Sequence, residues 1–150
     1  MTPVFFYHLE RQPLESVLPK LLAASLERGW RVVVQTGSDE RAEALASHLW
    51  AFDDESFLPH GTRSDGVPDL QPIWLTAVDE NPNGANVRFY VDGAPVGDLD
   101  GLTRAVILFD GSDAEALEQA RSGWKRFRAE GREVTYWQQD ENGRWQNRAA

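Results

Sequence analysis

In the first fifty residues, the pattern of hydrophobic and polar positions switches between the short apolar runs of buried strands and the spacing of amphipathic helices. Short runs of β-branched and aromatic residues at Val4–Leu9 and at 31–35 predict buried strands. Apolar positions spaced three and four residues apart predict a helix after each strand, the second capped by Ser38. Pro13 can open the first helix, whereas Pro19 would kink it or move its start to about residue 19. The order strand, helix, strand, helix predicts βαβ units and a mainly parallel sheet.

The second half of the chain continues the same pattern. Four further apolar runs predict strands at residues 72–77, 87–91, 105–109 and 133–137. A helix over about 113–130 fits between the last two and stops at Gly131. We therefore predict one α/β domain over residues 1–137, a three-layer Rossmann-like fold with a mainly parallel central sheet flanked by helices. Residues 138–150 are polar and lack periodicity, which predicts a flexible C-terminal tail.

Composition narrows the classes of function. The 150 residues carry a formal charge of −9 and include no cysteine, which excludes a disulfide framework, a thiol nucleophile and thiolate metal sites. A pI near 4.7 argues against broad DNA binding, and we expect no direct sequence-specific contact with nucleic acid. No apolar run approaches the roughly 20 residues that cross a bilayer, and none fits a secretory signal. We expect a cytoplasmic protein without a membrane partner.

Motifs for cofactor chemistry are missing from the loops of the predicted sheet. The loop after the second strand, QTGSDERA, has a single glycine, and neither G-x-G-x-x-G nor a phosphate loop occurs. The three histidines lack the paired spacing of metal ligands, so we expect no cofactor and no metal. One enzymatic alternative stays open, a Rossmann-like enzyme using the loop that carries Asp53, Asp54, Glu55 and His60.

A basic stripe on the last predicted helix is the most informative local feature. In residues 116–128 (ALEQARSGWKRFR), the cations Arg121, Lys125 and Arg128 fall within about 60° of one another, beside Trp124. Basic residues near a helix C-terminus also complement its dipole, which accounts for one or two of them. Arginine grips carboxylates bidentately, so the stripe fits a short acidic peptide with a free carboxylate. Arg126 lies on the far side of the helix.

Aromatic residues are concentrated in a second segment. The stretch LWAFDDESFLPHG holds Trp50, Phe52, Phe57 and Leu58 in an otherwise loop-like region. Such side chains either fold back on the core or form a protein-binding patch, and the residues alone leave both interpretations open.

The same stretch resembles a known family. LWAFDDESFLPHG, preceded by RGWRVVVQTGSDERAEAL, is similar to the chi subunit of bacterial DNA polymerase III. VFFYHL, AVILFD and GWKRFRAEG match that family in order and spacing. The resemblance implies a nucleotide-binding-like α/β fold without nucleotide function, in a non-catalytic accessory subunit of the replicase. It implies two partners, the acidic C-terminal tail of single-stranded DNA-binding protein (SSB) and the psi subunit of the clamp-loader assembly.

The resemblance also implies roles for residues of the stripe. The SSB tail ends in Pro-Phe with a free carboxylate, which Arg121 would anchor. Lys125 and Arg128 would attract the acidic residues of the tail, and Trp124 stands where the family usually has another aromatic residue. A further upstream lysine of well-known members is replaced here by Leu117 or Glu118.

A second interface follows from the resemblance in the aromatic segment. The surface that faces psi would include Trp50 and Phe57. Residues 61–100 match the family weakly, so the resemblance implies nothing specific about them.

Overall fold

The computed structural model describes residues 1–51 and 58–148, and its elements follow the predicted order closely. The strands are β1 (Val4–Leu9), β2 (Val32–Gln35), β3 (His60–Gly61), β4 (Ile73–Thr76), β5 (Val87–Tyr90), β6 (Arg104–Asp110), β7 (Val134–Gln139) and β8 (Trp145–Asn147). The helices are α1 (Leu14–Glu27), α2 (Asp39–Ala51) and α3 (Ala114–Ala129), with a 3-10 turn at Pro68–Leu70. The two-residue strand β3 and the C-terminal strand β8 were not predicted.

The strands of the described residues form one sheet in the order β3-β4-β2-β5-β6-β1-β7-β8. All neighbouring pairs are parallel except β7 and β8, which confirms the predicted mainly parallel sheet. Strand β1 lies between β6 and β7, with Phe6 in register with Ile107 and Tyr136. Helix α1 leads from β1 towards β2, whereas α3 leads from β6 towards β7. The two helices therefore leave the sheet in opposite directions and cover opposite faces.

Each face of the sheet has its own apolar core. On one face, α1 and α2 bury Leu22 and Leu45 against Val34 of β2 and its neighbours. On the other face, α3 buries Phe127 against Phe6 of β1. Burying each of these side chains contributes about 1.5–3 kcal/mol. Helices on both faces of a parallel sheet confirm the predicted three-layer Rossmann-like fold.

The first helix could begin at either of two prolines, and the structure shows which one. The helix begins at Leu14, with Pro13 in extended conformation at the N-cap, and continues through Pro19 to Glu27. The alternative start at about residue 19 is therefore wrong. Gly29 follows with φ +81°, a left-handed conformation that favours glycine and ends the helix.

Part of the segment predicted as a flexible polar tail, residues 138–150, forms strand structure. Strand β7 continues to Gln139, and β8 pairs with it antiparallel, Trp137 opposite Asn147. The Asp140 carboxylate closes the turn by accepting from the backbone N–H groups of Asn142 and Arg144. The hairpin gains a packing contact from Trp145, whose ring meets that of Tyr7 edge-on with centroids 5.0 Å apart. That partner is far away in the sequence, so a local pattern does not show it.

Candidate functional site

Helix α3 carries the basic stripe, and its two ends have opposite charge. The Asp113 side chain caps the helix by accepting from the N–H groups of Glu115 and Ala116. Glu115 lies in the first turn, whereas Arg126 and Arg128 lie in the last turn, and both arrangements complement the helix dipole. The basic residues of the last turn are thus stabilised by the negative end of the helix dipole.

Aromatic packing fixes the middle of α3 against the sheet. Phe127 is buried, and a Cβ at Gly123 would lie 3.4 Å from the Phe6 ring, so a small residue allows the close approach. Trp124 is half-buried, with its ring centroid 6.0 Å from that of Phe6 and 5.7 Å from that of Tyr136. These contacts hold the Trp124 ring at the edge of the core with part of its surface in solvent.

The cations of the stripe point into solvent as the helical spacing predicts. Arg121, Lys125 and Arg128 are all exposed, and none of them forms an ion pair with a carboxylate in the described part of the chain. The Arg128 guanidinium lies over the Trp124 ring, with Cζ 5.7 Å from its centroid. We call Arg121, Trp124, Lys125 and Arg128 the basic face.

Arg126 differs from the three cations of the basic face. It forms an ion pair with Glu130 at 3.5 Å, and its Cζ lies 4.5 Å from the centroid of the Phe127 ring. Because its charge is already partnered, Arg126 has less to offer an incoming carboxylate. It is a matched control for the three others.

A chain of polar side chains lies behind the basic face, and sequence reasoning missed it. The Tyr136 hydroxyl is 2.6 Å from Nδ1 of His8, and Nε2 of His8 is 2.9 Å from a carboxylate oxygen of Glu10. Burial raises the pKa of the Tyr136 phenol, and the positive charge of Arg121 opposes that rise. Arg121 is therefore close enough to interact with Tyr136 through its charge. The β1–β7 register brings these groups together, and no short sequence motif signals it.

The predicted second interface is described in part. Trp50 lies at the end of α2, its exposed fraction is 57%, and its ring centroid is 4.3 Å from that of His60. Phe57 lies outside the described residues. Helices α2 and α3 cover opposite faces of the sheet, so Trp50 and the basic face belong to different surfaces.

The enzymatic alternative rests on a loop and a histidine. Asp53, Asp54 and Glu55 lie outside the described residues. His60 is buried, with Nδ1 2.6 Å from the Leu58 carbonyl oxygen and Nε2 2.9 Å from that of Ala46. Both ring nitrogens face main-chain oxygens, which is the arrangement of a structural histidine.

Neither a metal-binding cluster nor a membrane-spanning helix is found among the described residues. Over residues 1–51 and 58–148, no three or more His, Cys, Asp or Glu side chains are grouped so that they could hold a metal ion. No helix in the same residues combines the length and the apolar character needed to cross a membrane.

Comparison with known proteins supplies the family. Residues 1–135 match the family described as DNA polymerase III chi subunit, HolC. The chain belongs to this family. The match confirms the resemblance drawn from the sequence, and it includes all of α3 and therefore every residue of the basic face. The β7–β8 hairpin lies mostly beyond the matched residues.

A relative within the chi family is similar over part of its length. A protein of Rickettsia prowazekii (strain Madrid E), named "Probable DNA polymerase III subunit chi", is 30% identical over 81 residues. The matched segment is 54% of this chain and 49% of the relative, so the chain covers about half of that relative's length.

Proposed function

We propose that this chain is a non-catalytic accessory subunit of the bacterial replicase that binds the acidic C-terminal tail of SSB through the basic face. The observation that carries the proposal is the arrangement of α3, where three exposed cations without described ion pairs lie on the same side of the helix as the half-buried Trp124, which packs on Phe6 and Tyr136. Membership in the chi family supports the same role. By binding the tail, the subunit would link SSB to the clamp loader.

The proposal assigns a different task to each part of the basic face. Arg121 would hold the terminal carboxylate of the tail, since its guanidinium offers two parallel N–H donors in the geometry of a carboxylate. Trp124 offers an apolar surface beside it for the terminal phenylalanine. Lys125 and Arg128 would attract the acidic residues upstream, mainly raising the rate of association.

The upstream end of the basic face carries no cation. Leu117 is half-buried against the core around Phe127, and Glu118 is exposed and negative. The missing charge predicts a slower association and a weaker salt dependence than a face with a cation there. It leaves the anchoring group, Arg121, unchanged.

Titration of a labelled peptide ending in Asp-Ile-Pro-Phe tests the proposed face. Replacing Arg121 with Ala should weaken binding by about tenfold or more, since a hydrogen bond to a charged group contributes about 1.5–3 kcal/mol. Lys125→Ala should cause a smaller loss that disappears at high salt. Arg126→Ala is the control and should bind like the wild type. Equal affinity of all three variants and the wild type would refute this site.

We further propose that the end of α2 contacts the psi subunit through Trp50. The large exposed aromatic ring supports this, because such rings are frequent anchors of protein interfaces. Trp50→Ala should lower the affinity for purified psi by about 2 kcal/mol or more and leave binding of the SSB-tail peptide intact. Unchanged association with psi would contradict this part of the proposal.

A further inference from the structure

A second aromatic surface lies on the face of the sheet opposite α3. Alternation along β1 directs Phe6 towards α3 and Tyr7 to the other face. The Tyr7 ring stacks on Trp137 of β7 at 6.3 Å and meets Trp145 of β8 edge-on at 5.0 Å. All members of this surface are half-buried residues, so none of them is fully enclosed by the core. We call it the aromatic platform; its members are Phe5, Tyr7, Trp30, Trp137 and Trp145.

Two arginines border the aromatic platform. The Arg104 Cζ lies 4.1 Å from the ring centroid of Phe5 and 5.0 Å from that of Trp30. Arg28 reaches the same Trp30 ring, with its Cζ 5.0 Å from the centroid. Neither arginine has an ion pair with a carboxylate among the described residues. Burial lowers the pKa of Arg104, and the nearby positive charge of Arg28 lowers it further.

These two arginines give the platform a local charge opposite to that of the whole chain. Like charges close together repel each other, and an anion placed between them would relieve that repulsion. The protein carries −9 overall, so the cations of the platform stand out against an acidic background. The arrangement therefore points to an anionic ligand with flat groups that stack.

A groove extends the platform between α1 and the β7–β8 hairpin. It has a volume of about 490 Å³, and Trp145 is part of both the groove and the platform. Arg11 and Lys20 are exposed along the groove, and neither has an ion pair among the described residues. Glu141 is the one carboxylate among the described residues that line it. Arg11 and Lys20 thus add two exposed cations to those that border the platform.

We propose that the aromatic platform and its groove bind single-stranded nucleic acid. Bases of any sequence stack on exposed aromatic rings, and arginine adds cation–π attraction to the same rings. Arg28, Arg104 and Lys20 would neutralise the phosphates. An acidic peptide could use these cations, but it would leave the stacked rings of Tyr7 and Trp137 without a counterpart. A duplex hides its base faces and could use only the charges.

On an acidic protein, we expect this interaction to be weak and dependent on salt concentration. If three phosphates are neutralised, the logarithm of the binding constant falls against the logarithm of salt concentration with a slope of about −2. Binding is then weak at physiological salt and easily measured at low salt. This is a short contact, unlike the extended phosphate neutralisation that the low pI argues against.

Fluorescence anisotropy of a labelled oligothymidylate with the whole chain at low salt tests the proposal. We expect saturable binding with that salt slope, and weaker binding of a duplex of the same length. Arg28→Glu, an exposed position, should weaken binding roughly tenfold, and Trp145→Ala should lose a comparable factor as one stacking surface disappears. Arg126→Glu, on the other face of the sheet and outside the basic face, is the matched control and should bind the oligonucleotide like the wild type.

The other possible outcomes also support or overturn the proposed nucleic-acid binding. No saturable binding at low salt, or equal binding by Arg28→Glu, would overturn the proposal, provided that the variant has the circular dichroism spectrum and unfolding temperature of a folded protein. Equal or tighter binding of the duplex would show attraction of phosphates without stacking and would also overturn it. Oligouridylate binding like oligothymidylate would support it, since stacking does not depend on the sugar. Failure of the basic face to bind the SSB tail would leave this result unaffected.

Discussion

The Nε2 atom of His48 in α2 lies 2.9 Å from the main-chain carbonyl oxygen of Glu15 in α1. In an unbroken helix that carbonyl would accept from the N–H four residues later, at position 19. Position 19 is a proline, which has no N–H. His48, as the Nε2–H tautomer, donates the hydrogen bond in its place and joins the two helices on this face of the sheet.

We expect His48→Ala to lower the free energy of unfolding by about 1–3 kcal/mol, because the Glu15 carbonyl then lacks its described partner. Pro19→Ala restores the helical N–H at this point. In the Pro19→Ala background, removal of His48 should therefore cost less. A double-mutant cycle measured by urea unfolding checks this coupling. Strict additivity of the two substitutions would show that His48 does not compensate for the proline.

Gly111→Ala should destabilise the fold through a single contact with His8. A Cβ at position 111 would lie 1.9 Å from Nε2 of His8, so the imidazole ring must move away from Tyr136. We expect a loss of about 1–3 kcal/mol, as for other overpacked sites. The smaller side chain of His8→Ala should relieve most of the added cost in the double variant. Thermal unfolding measures the loss of stability caused by Gly111→Ala in the wild type and in His8→Ala. An equal loss in both would show that His8 is not the side chain with which the new Cβ clashes.

The Glu10 carboxyl should titrate below its ordinary range. Hydrogen bonds from His8 and Gln138 lower the pKa of Glu10 in the folded protein. A lowered pKa means that the contribution to stability is present above the ordinary pKa and is lost as the pH falls through the folded value. Carboxyl-detected NMR should show the lowered midpoint and its return towards the ordinary value in His8→Gln. An unchanged midpoint in that variant would refute His8 as the main cause.

A gain of binding is expected when Glu118 is replaced with Lys. Position 118 lies one turn before Arg121, is exposed, and falls within about 60° of it around the helix. The substitution adds a cation to the basic face, so association with the SSB-tail peptide should accelerate by a few-fold at low salt and converge with the wild type at high salt. Glu115→Lys makes the same charge change about 120° away and is the control. Stopped-flow measurements give the association rates. Equal acceleration by both variants would show that the change in net charge, and not its position on the helix, is responsible.

The sequence predicted most where the determinants are local. The buried strand β1 appears as an unbroken apolar run, and the exposure of Arg121, Lys125 and Arg128 follows from the fixed geometry of a helix. Strand β3 is too short to leave a pattern, since it consists of His60 and Gly61. Strand β8 reads as a polar tail because its anchor, Trp145, packs on a residue at the other end of the chain.

The features of the basic face and of the aromatic platform that the sequence did not predict are contacts between distant parts of the chain. Tyr136 reaches the basic face because β7 lies beside β1 in a fixed register. Arg104 and Trp30 meet although more than seventy residues separate them. Neither pairing leaves a local signal, so both required the three-dimensional fold.

The terminal carboxylate of the SSB tail provides the most direct test of the basic face. We would titrate the wild type and Arg121→Ala with two peptides ending in Asp-Ile-Pro-Phe, one with a free terminal carboxylate and one amidated. We expect amidation to weaken binding to the wild type by about tenfold or more and to have little further effect on Arg121→Ala. Equal affinity of the wild type for both peptides would show that Arg121 does not hold the terminal carboxylate of the tail.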